Sequence, residues 1–496
     1  MSRPWGTWFG SRTPSLDAVA WVRPGCFHRP ALTLENSSQR PQAESKERKL
    51  FGTDGVRGVA NEHPITAEIA MQLGRAIAHI SKRGPHRHRI MIGKDTRLSG
   101  YMLEFALSSG VCSLGVDVLL VGPVPTPAIA FLTRSMRADA GVMISASHNP
   151  FQDNGIKFFG HDGFKLDDSI EFEIEHLLEN GQIDSIRPTA LDIGKTQKLE
   201  DARGRYVQYV KDTLDPALGL DGIKMVIDCA NGAAYKVAPQ IFVELGASVI
   251  TIAAEPDGKN INAGCGALYP DRLQRAVLEH GAHVGLALDG DADRAIIVDE
   301  KGQIVDGDAV MAICGLDLAK KGKLHHQTVV STVMSNMGLE QCLSPAGVKV
   351  VRTAVGDRYV VDCMRKNGYT FGGEQSGHLI FLQHASTGDG SVAGLRVLEL
   401  MLRAQRPLSE LAAVFQRLPQ HLINVVVRAK TPISELTATS ALIRKVEKDL
   451  DGIGRVLVRY SGTENKARVM VEGPDATKTE RYAQDIADTL KRELGA

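Results

Sequence analysis

From Lys49 onward, short apolar runs alternate with longer amphipathic stretches, the rhythm of strands and helices in turn. Residues 89–95 and 118–121 read as strands, with a helix over 99–115 between them. Gly122-Pro-Val-Pro-Thr-Pro127 is a stiff turn into a helix over 127–136. The run 141–144 is apolar throughout, as expected of a strand buried on both faces of a parallel sheet. His148-Asn149-Pro150 stops it, because proline cannot donate to a ladder. A helix over 169–180 closes this unit.

The rhythm restarts after a polar stretch at 183–200. It gives helix 204–213, strand 224–228, helix 234–245, strand 248–252, helix 271–280 and strand 284–288. A third unit, 301–418, contains strand 329–333, helix 357–367 and strand 369–371. The last reads strand, helix 434–450, strand 454–459, strand 467–471 and helix 476–493. This order predicts an α/β fold: three similar doubly wound α/β domains (49–200, 201–300 and 301–418) and a smaller α+β domain at 419–496.

Composition narrows the function classes. Lys plus Arg equals Asp plus Glu at 58 each, so no global field draws nucleic acid or an anionic membrane. No apolar run approaches the roughly 20 residues of a membrane span. Seven scattered cysteines without a Cys-x-x-Cys pair argue against zinc sites and disulfides and for a reducing cytoplasm. Residues 1–48, which hold all three tryptophans, show no clear period; they are expected to be a disordered extension and receive no function. Oligomeric state is left open, with a homodimer as the candidate assembly.

Open α/β sheets bind ligands beyond the carboxyl ends of their strands, so the loops there carry the candidate chemistry. Ser147 follows the strand at 141–144, with His148 beside it and Lys157 ten residues on: a hydroxyl to carry a group and two side chains to move protons. Asp289, Asp291 and Asp293 alternate, and period-two spacing puts three carboxylates on one side. Oxygen-only ligands suit a hard cation such as Mg2+, and Arg294 stands ready for a phosphate oxygen. Glu374, Ser376 and His378 alternate among glycines and suit sugar hydroxyls or an amine. Arg459 and Arg468 bracket Ser461, Gly462 and Thr463, a plausible phosphate cradle. Arg57, in a glycine-rich loop, can grip another phosphate. Each loop alone also reads as an ordinary turn; a sugar phosphate facing a phosphorylated serine accounts for them all.

Ser145-Ala-Ser147-His-Asn-Pro150, Asp289-Gly-Asp-Ala-Asp-Arg294, Gly373-Glu-Gln-Ser-Gly-His378 and Arg459-Tyr-Ser-Gly-Thr463 resemble, in order, the four signature loops of the α-D-phosphohexomutases. Phe51-Gly-Thr-Asp-Gly-Val-Arg-Gly58, Ile144-Ser-Ala-Ser147 and Gln375 are similar to the glucosamine-phosphate branch; the phosphomannomutase/phosphoglucomutase branch, the alternative, usually has Met at the place of Gln375. The resemblance covers residue 49 to the end. It departs at Asn465, where proline is common, and in residues 1–48.

The resemblance implies a central cleft and a phosphorylated Ser147 whose phosphate joins Asp289, Asp291 and Asp293 on Mg2+. The reaction implied interconverts glucosamine 6-phosphate and glucosamine 1-phosphate, an isomerisation that feeds amino-sugar and peptidoglycan precursors. A hexose 1,6-bisphosphate is its intermediate and activator. Arg459, Ser461, Gly462, Thr463 and Arg468 would hold the substrate phosphate, and Glu374, Ser376 and His378 the sugar. Either Lys157 or His148 would take the proton, while Arg57 and Mg2+ stabilise the group in flight and the fourth domain closes out water. Two rivals are a phosphohydrolase with an aspartate nucleophile and a non-catalytic sugar-phosphate sensor.

Overall fold

Four sheets, each flanked by helices, carry the chain in this computed structural model, which describes residues 49–181, 183, 185–461 and 465–495. What was expected of residues 1–48, and of Gly462 and Thr463, lies outside the described residues.

The first sheet is built from β1 (Phe51–Gly52), β2 (Gly55–Val59), β3 (Arg89–Lys94), β4 (Asp117–Pro123), β5 (Ala140–Ile144), β6 (Asp153–Gly160) and β7 (Thr196–Lys198). Helices α1 (Ala67–Ile80), α2 (Ser99–Ser113), α3 (Thr126–Ser135) and α4 (Asp168–Glu179) are interleaved. Its order is β1-β2-β6-β5-β3-β4-β7. β5 is parallel to β3, as its unbroken apolar run predicts, but antiparallel to β6. The sheet is therefore mixed. The chain does not leave it after Pro150 but turns back as a hairpin, which puts Lys157 opposite Met143. β6 was hard to read because the buried polar residues Asn154 and Lys157 interrupt its apolar Ile156, Phe158 and Phe159.

The second sheet follows α5 (Ala202–Lys211) and holds β8 (Lys224–Asp228), β9 (Ser248–Ile252), β10 (Val284–Leu288), β11 (Ala295–Asp299) and β12 (Ile304–Val305). Between them run α6 (Val237–Glu244) and α7 (Asp271–His280). β10 and β11 form a hairpin with Leu288 opposite Ala295, so residues 289–294 are its tip. The third sheet contains β13 (Thr328–Thr332), β14 (Lys349–Thr353), β15 (Phe371–Gly373) and β16 (Leu379–Phe381). With it go α8 (Gly307–Lys320), α9 (Met337–Leu343), α10 (Asp357–Asn367), α11 (Gly390–Ala404) and α12 (Leu408–Ala412). The fourth is antiparallel, in the order β17 (Gln420–Val426), β19 (Lys466–Glu472), β18 (Arg455–Tyr460), and is covered by α13 (Thr437–Leu450) and α14 (Ala476–Leu494).

Side-chain alternation decides how these layers join. On β3, Ile90 and Ile92 face a core beneath α1 and α2, whereas Met91 points the other way. There it joins one continuous apolar cluster with Phe242, Leu286 and Phe371 of the second and third units. Three sheets thus share a core, each fully buried Leu, Ile or Val contributing about 1.5–3 kcal/mol. The fourth has its own, around Val469, Val471, Ile486 and Leu490. Polar contacts tie it to the third: Asn336 Nδ2 donates to Glu472 Oε1 at 3.3 Å, and Arg455 donates to Ser335 O at 2.6 Å.

Candidate active site

β3 and β5 end side by side, Lys94 opposite Ile144, so Asp95 and Ser145 emerge together. The Ser145 hydroxyl donates to Asp95 Oδ2 at 2.6 Å and accepts the Ser147 N–H at 2.9 Å. Ser147 itself is buried and sits at φ +52°, a left-handed conformation that costs a non-glycine residue on the order of 1–3 kcal/mol. Two side chains hold it there through its carbonyl oxygen. The wholly buried Arg97 donates to it at 3.2 Å and to Asn149 O at 2.6 Å, and its charge is matched by Asp95. Asn262, from the second unit, donates to the same two oxygens at 2.9 and 3.0 Å.

The aspartate loop meets this serine directly. Ser147 Oγ donates to Asp289 Oδ2 at 2.6 Å, and His148 Nδ1 lies 3.3 Å from Oγ. The carboxylates do not converge by strand alternation. Ala292 takes φ +56° and its N–H donates to Asp289 O at 3.0 Å, so a tight turn brings one oxygen of each aspartate within 4.8 Å of the others. Gly290 allows the contact, because a Cβ there would lie 2.5 Å from Ser147 O and 2.8 Å from Asn262 Nδ2.

Three buried carboxylates repel one another. Burial first, then Asp293 and Asp291, push Asp289 up to about 8. Burial would raise Asp293 too, but Lys157 and His378 hold it well below the carboxylate range. Asp291 Oδ1 and Asp293 Oδ1 are buried without a hydrogen-bond partner among the described residues. Orphaned oxygens of an all-carboxylate set fit a hard divalent cation.

Lys157 is buried in the same cluster, 2.8 Å from Asp291 Oδ2, 3.1 Å from Asp54 and 3.6 Å from Asp293. Burial opposes its charge, but these carboxylates hold the ammonium far above its usual range. His148 is the reverse: burial, then Arg294 and Arg57, push it down to about 4, leaving a neutral imidazole at pH 7. Arg57, on β2, pairs with Asp54, which also meets Lys165; Lys165 in turn meets Asp357.

His378 lies with Nδ1 3.6 Å from Asp293 and Nε2 3.5 Å from Asp357. Those carboxylates favour an imidazolium, but the Gly388 N–H, an obligatory donor, points at Nε2 from 3.0 Å and keeps that nitrogen unprotonated. Glu374 Oε1 accepts the Gly356 N–H at 3.0 Å, and the buried Ser376 hydroxyl has no partner among the described residues. In the fourth sheet Arg459 stands directly opposite Arg468. Ser461 follows, its carbonyl oxygen accepting from Lys430 Nζ at 2.8 Å.

Sequence reasoning missed Asp54, Asp95, Arg97, Lys165, Asn262 and Asp357, and also Thr126, whose hydroxyl donates to Asp291 Oδ2 at 2.6 Å. Asp54 lay inside the glycine-rich motif around Arg57. Asp95 and Arg97 share one loop after β3, and the rest come from separate elements with no shared spacing.

Four family models cover the chain in succession. They are phosphoglucomutase/phosphomannomutase alpha/beta/alpha domains I (48–184), II (204–302) and III (306–418), and the C-terminal domain (422–489). The phosphoglucosamine mutase of Myxococcus xanthus is 61% identical over 454 residues, 92% of this chain and 99% of that protein. That of Syntrophotalea carbinolica is 61% identical over 450 residues, 90% and 98% of the two chains. The fold is shared with a phosphoglucomutase/phosphomannomutase family protein of Burkholderia thailandensis (TM-score 0.74, 23% identity, 90% of this chain and 99% of that one). It is also shared with Aspergillus fumigatus N-acetylphosphoglucosamine mutase, solved with GlcNAc-6P and magnesium (TM-score 0.60, 16% identity, 90% and 96% covered). The chain belongs to the phosphoglucomutase/phosphomannomutase family and, within it, to the phosphoglucosamine mutases, which are isomerases.

Proposed function

We propose that Ser147 is the phosphoryl carrier of this mutase, passing its group to glucosamine 6-phosphate and taking it back from the 1,6-bisphosphate to leave glucosamine 1-phosphate. The observation that carries this reading is the contact of Ser147 Oγ with Asp289 at the mouth of a cluster of orphaned carboxylate oxygens. Asp289, Asp291 and Asp293 would hold Mg2+, which supplies charge neutralisation of the phosphoryl oxygens. Magnesium in the Aspergillus enzyme supports the choice of ion. A related Aspergillus structure contains glucose 1,6-bisphosphate, in keeping with the intermediate.

The chain's own residues divide the remaining work. His148 keeps a neutral imidazole at pH 7 and is the better proton acceptor; Lys157, clasped by three carboxylates, serves as a fixed positive charge. Arg57 and Arg294 face the phosphoryl group, and His378 holds Asp293 and so acts through the cation site. Glu374 and Ser376 meet the sugar. Arg459, Ser461 and Arg468, with Gly462 and Thr463, receive the non-reacting phosphate. Opposite each other across paired strands, Arg459 and Arg468 can both donate to one phosphate. Closure of the fourth domain over the site keeps water from the phosphoserine.

The test is Ser147→Ala in a coupled assay. Turnover should vanish while circular dichroism is unchanged; wild-type activity in that variant sinks the reading. Steady release of inorganic phosphate by the wild type would point to a phosphohydrolase instead.

A further inference from the structure

At the opposite end of β3 from Ser147, the entry to the strand brings together His86, His88 and Asp139. The two imidazole rings lie 4.3 Å apart between centroids. Asp139, just before β5, turns Oδ1 toward both, 2.9 Å from His86 Nε2 and 3.4 Å from His88 Nδ1. One ligand atom from each residue lies within 4.8 Å of the others. A tetrahedral zinc ion with ligands at ~2.1 Å keeps its ligand atoms about 3.4 Å apart, so the trio stands close to that spacing.

Two further observations distinguish this cluster from an incidental contact. Nδ1 of His88 is buried and makes no hydrogen bond among the described residues, although buried ring nitrogens are ordinarily paired. Asp139 is held in place for the rings: its Oδ2 accepts the Arg89 N–H at 2.9 Å, and its own N–H donates to Arg89 O at 2.8 Å, leaving Oδ1 aimed at the imidazoles. His86 is more than half exposed, which gives an ion a way in and a place for water. Arg83, 3.9 Å from the same oxygen, is itself nearly half exposed and can swing aside.

We infer that His86, His88 and Asp139 form a second cation site, for a borderline divalent metal of the Zn2+ type. Two imidazoles and one carboxylate suit Zn2+, whereas the all-oxygen set of Asp289, Asp291 and Asp293 suits Mg2+, so the two sites select different ions. β3 is six residues long, which separates this site from Asp95 and Ser147 by roughly 20 Å. Its role is to pin the entry of β3 to the turn before β5.

Zn2+ is titrated into metal-stripped full-length protein in excess Mg2+ and reductant, with Co2+ absorption as the spectroscopic probe. One equivalent should bind and raise the unfolding temperature. His86→Gln, at an exposed position, should lower the affinity at least tenfold and remove that shift, with mutase activity in Mg2+ unchanged; His88→Gln should do the same. The inference is overturned if the wild type binds no zinc, if both variants bind as the wild type does, or if the Co2+ spectrum shows thiolate ligation by cysteine.

Discussion

Around Ser147, polar atoms from the first and second units fix one another, while in the fourth sheet two half-buried arginines stand face to face across paired strands. The serine carbonyl is held by Arg97 and Asn262, its hydroxyl by Asp289, and the neighbouring Asp291 by Thr126 and Lys157. These elements rest on a core shared by three sheets, whereas Arg459 and Arg468 ride on a sheet with its own. Phosphoryl transfer tolerates little misplacement, so its groups belong on rigid, mutually buried elements. A group that only has to grip a phosphate, and let a bisphosphate turn, can sit on a unit that moves.

Substitutions should separate the two regions, the largest effect first. Gly290→Ala puts a methyl group 2.5 Å from Ser147 O, so the serine and aspartate loops must part. The mutase rate should fall at least about 100-fold and stability by about 1–3 kcal/mol, read from kcat and a urea midpoint. Wild-type kcat in that variant would show that the interlock is not needed. Arg459→Ala should instead raise KM for glucosamine 6-phosphate by about 10- to 100-fold, the worth of one charged hydrogen-bond donor, with little loss of kcat. Because Arg459 is half-buried on a sheet outside the shared core, its loss should change stability by less than about 1 kcal/mol. A large drop in unfolding midpoint would mean that Arg459 has a structural partner.

A smaller effect concerns pH. Asp289 in the folded chain is pushed up to about 8, above the ~3.9 of an unfolded aspartate. Its contribution to stability is therefore fully present below about pH 4 and is lost as pH rises through 8. A divalent cation at Asp289 would need its ionised form. The rise in unfolding temperature on adding Mg2+ should thus be larger at pH 8.5 than at pH 6, by roughly 2 °C or more. An equal rise at both pH values would place the cation elsewhere.

Much of this was legible in the sequence where chemistry is local. The apolar run ending at Ser147, the aspartates at 289, 291 and 293 and the bracketed loop near Arg459 each fit within ten residues. The aspartate spacing suggested the right grouping for the wrong reason, since a turn at Ala292 gathers the carboxylates. β6 went unseen because buried Asn154 and Lys157 interrupt its apolar Ile156, Phe158 and Phe159 and break the pattern of a strand, and with it went the placement of Lys157. Arg97 and Asn262, 165 residues apart in sequence by their numbers, act on one carbonyl oxygen; only folding brings them together.

The central claim is tested most directly by following the phosphate itself. Enzyme phosphorylated by a labelled hexose 1,6-bisphosphate is mapped by peptide mass, then mixed with one equivalent of glucosamine 6-phosphate. The label should lie on Ser147 and pass to the sugar as bisphosphate in a single turnover. Label on another residue, or turnover by protein that never carries it, would contradict the account.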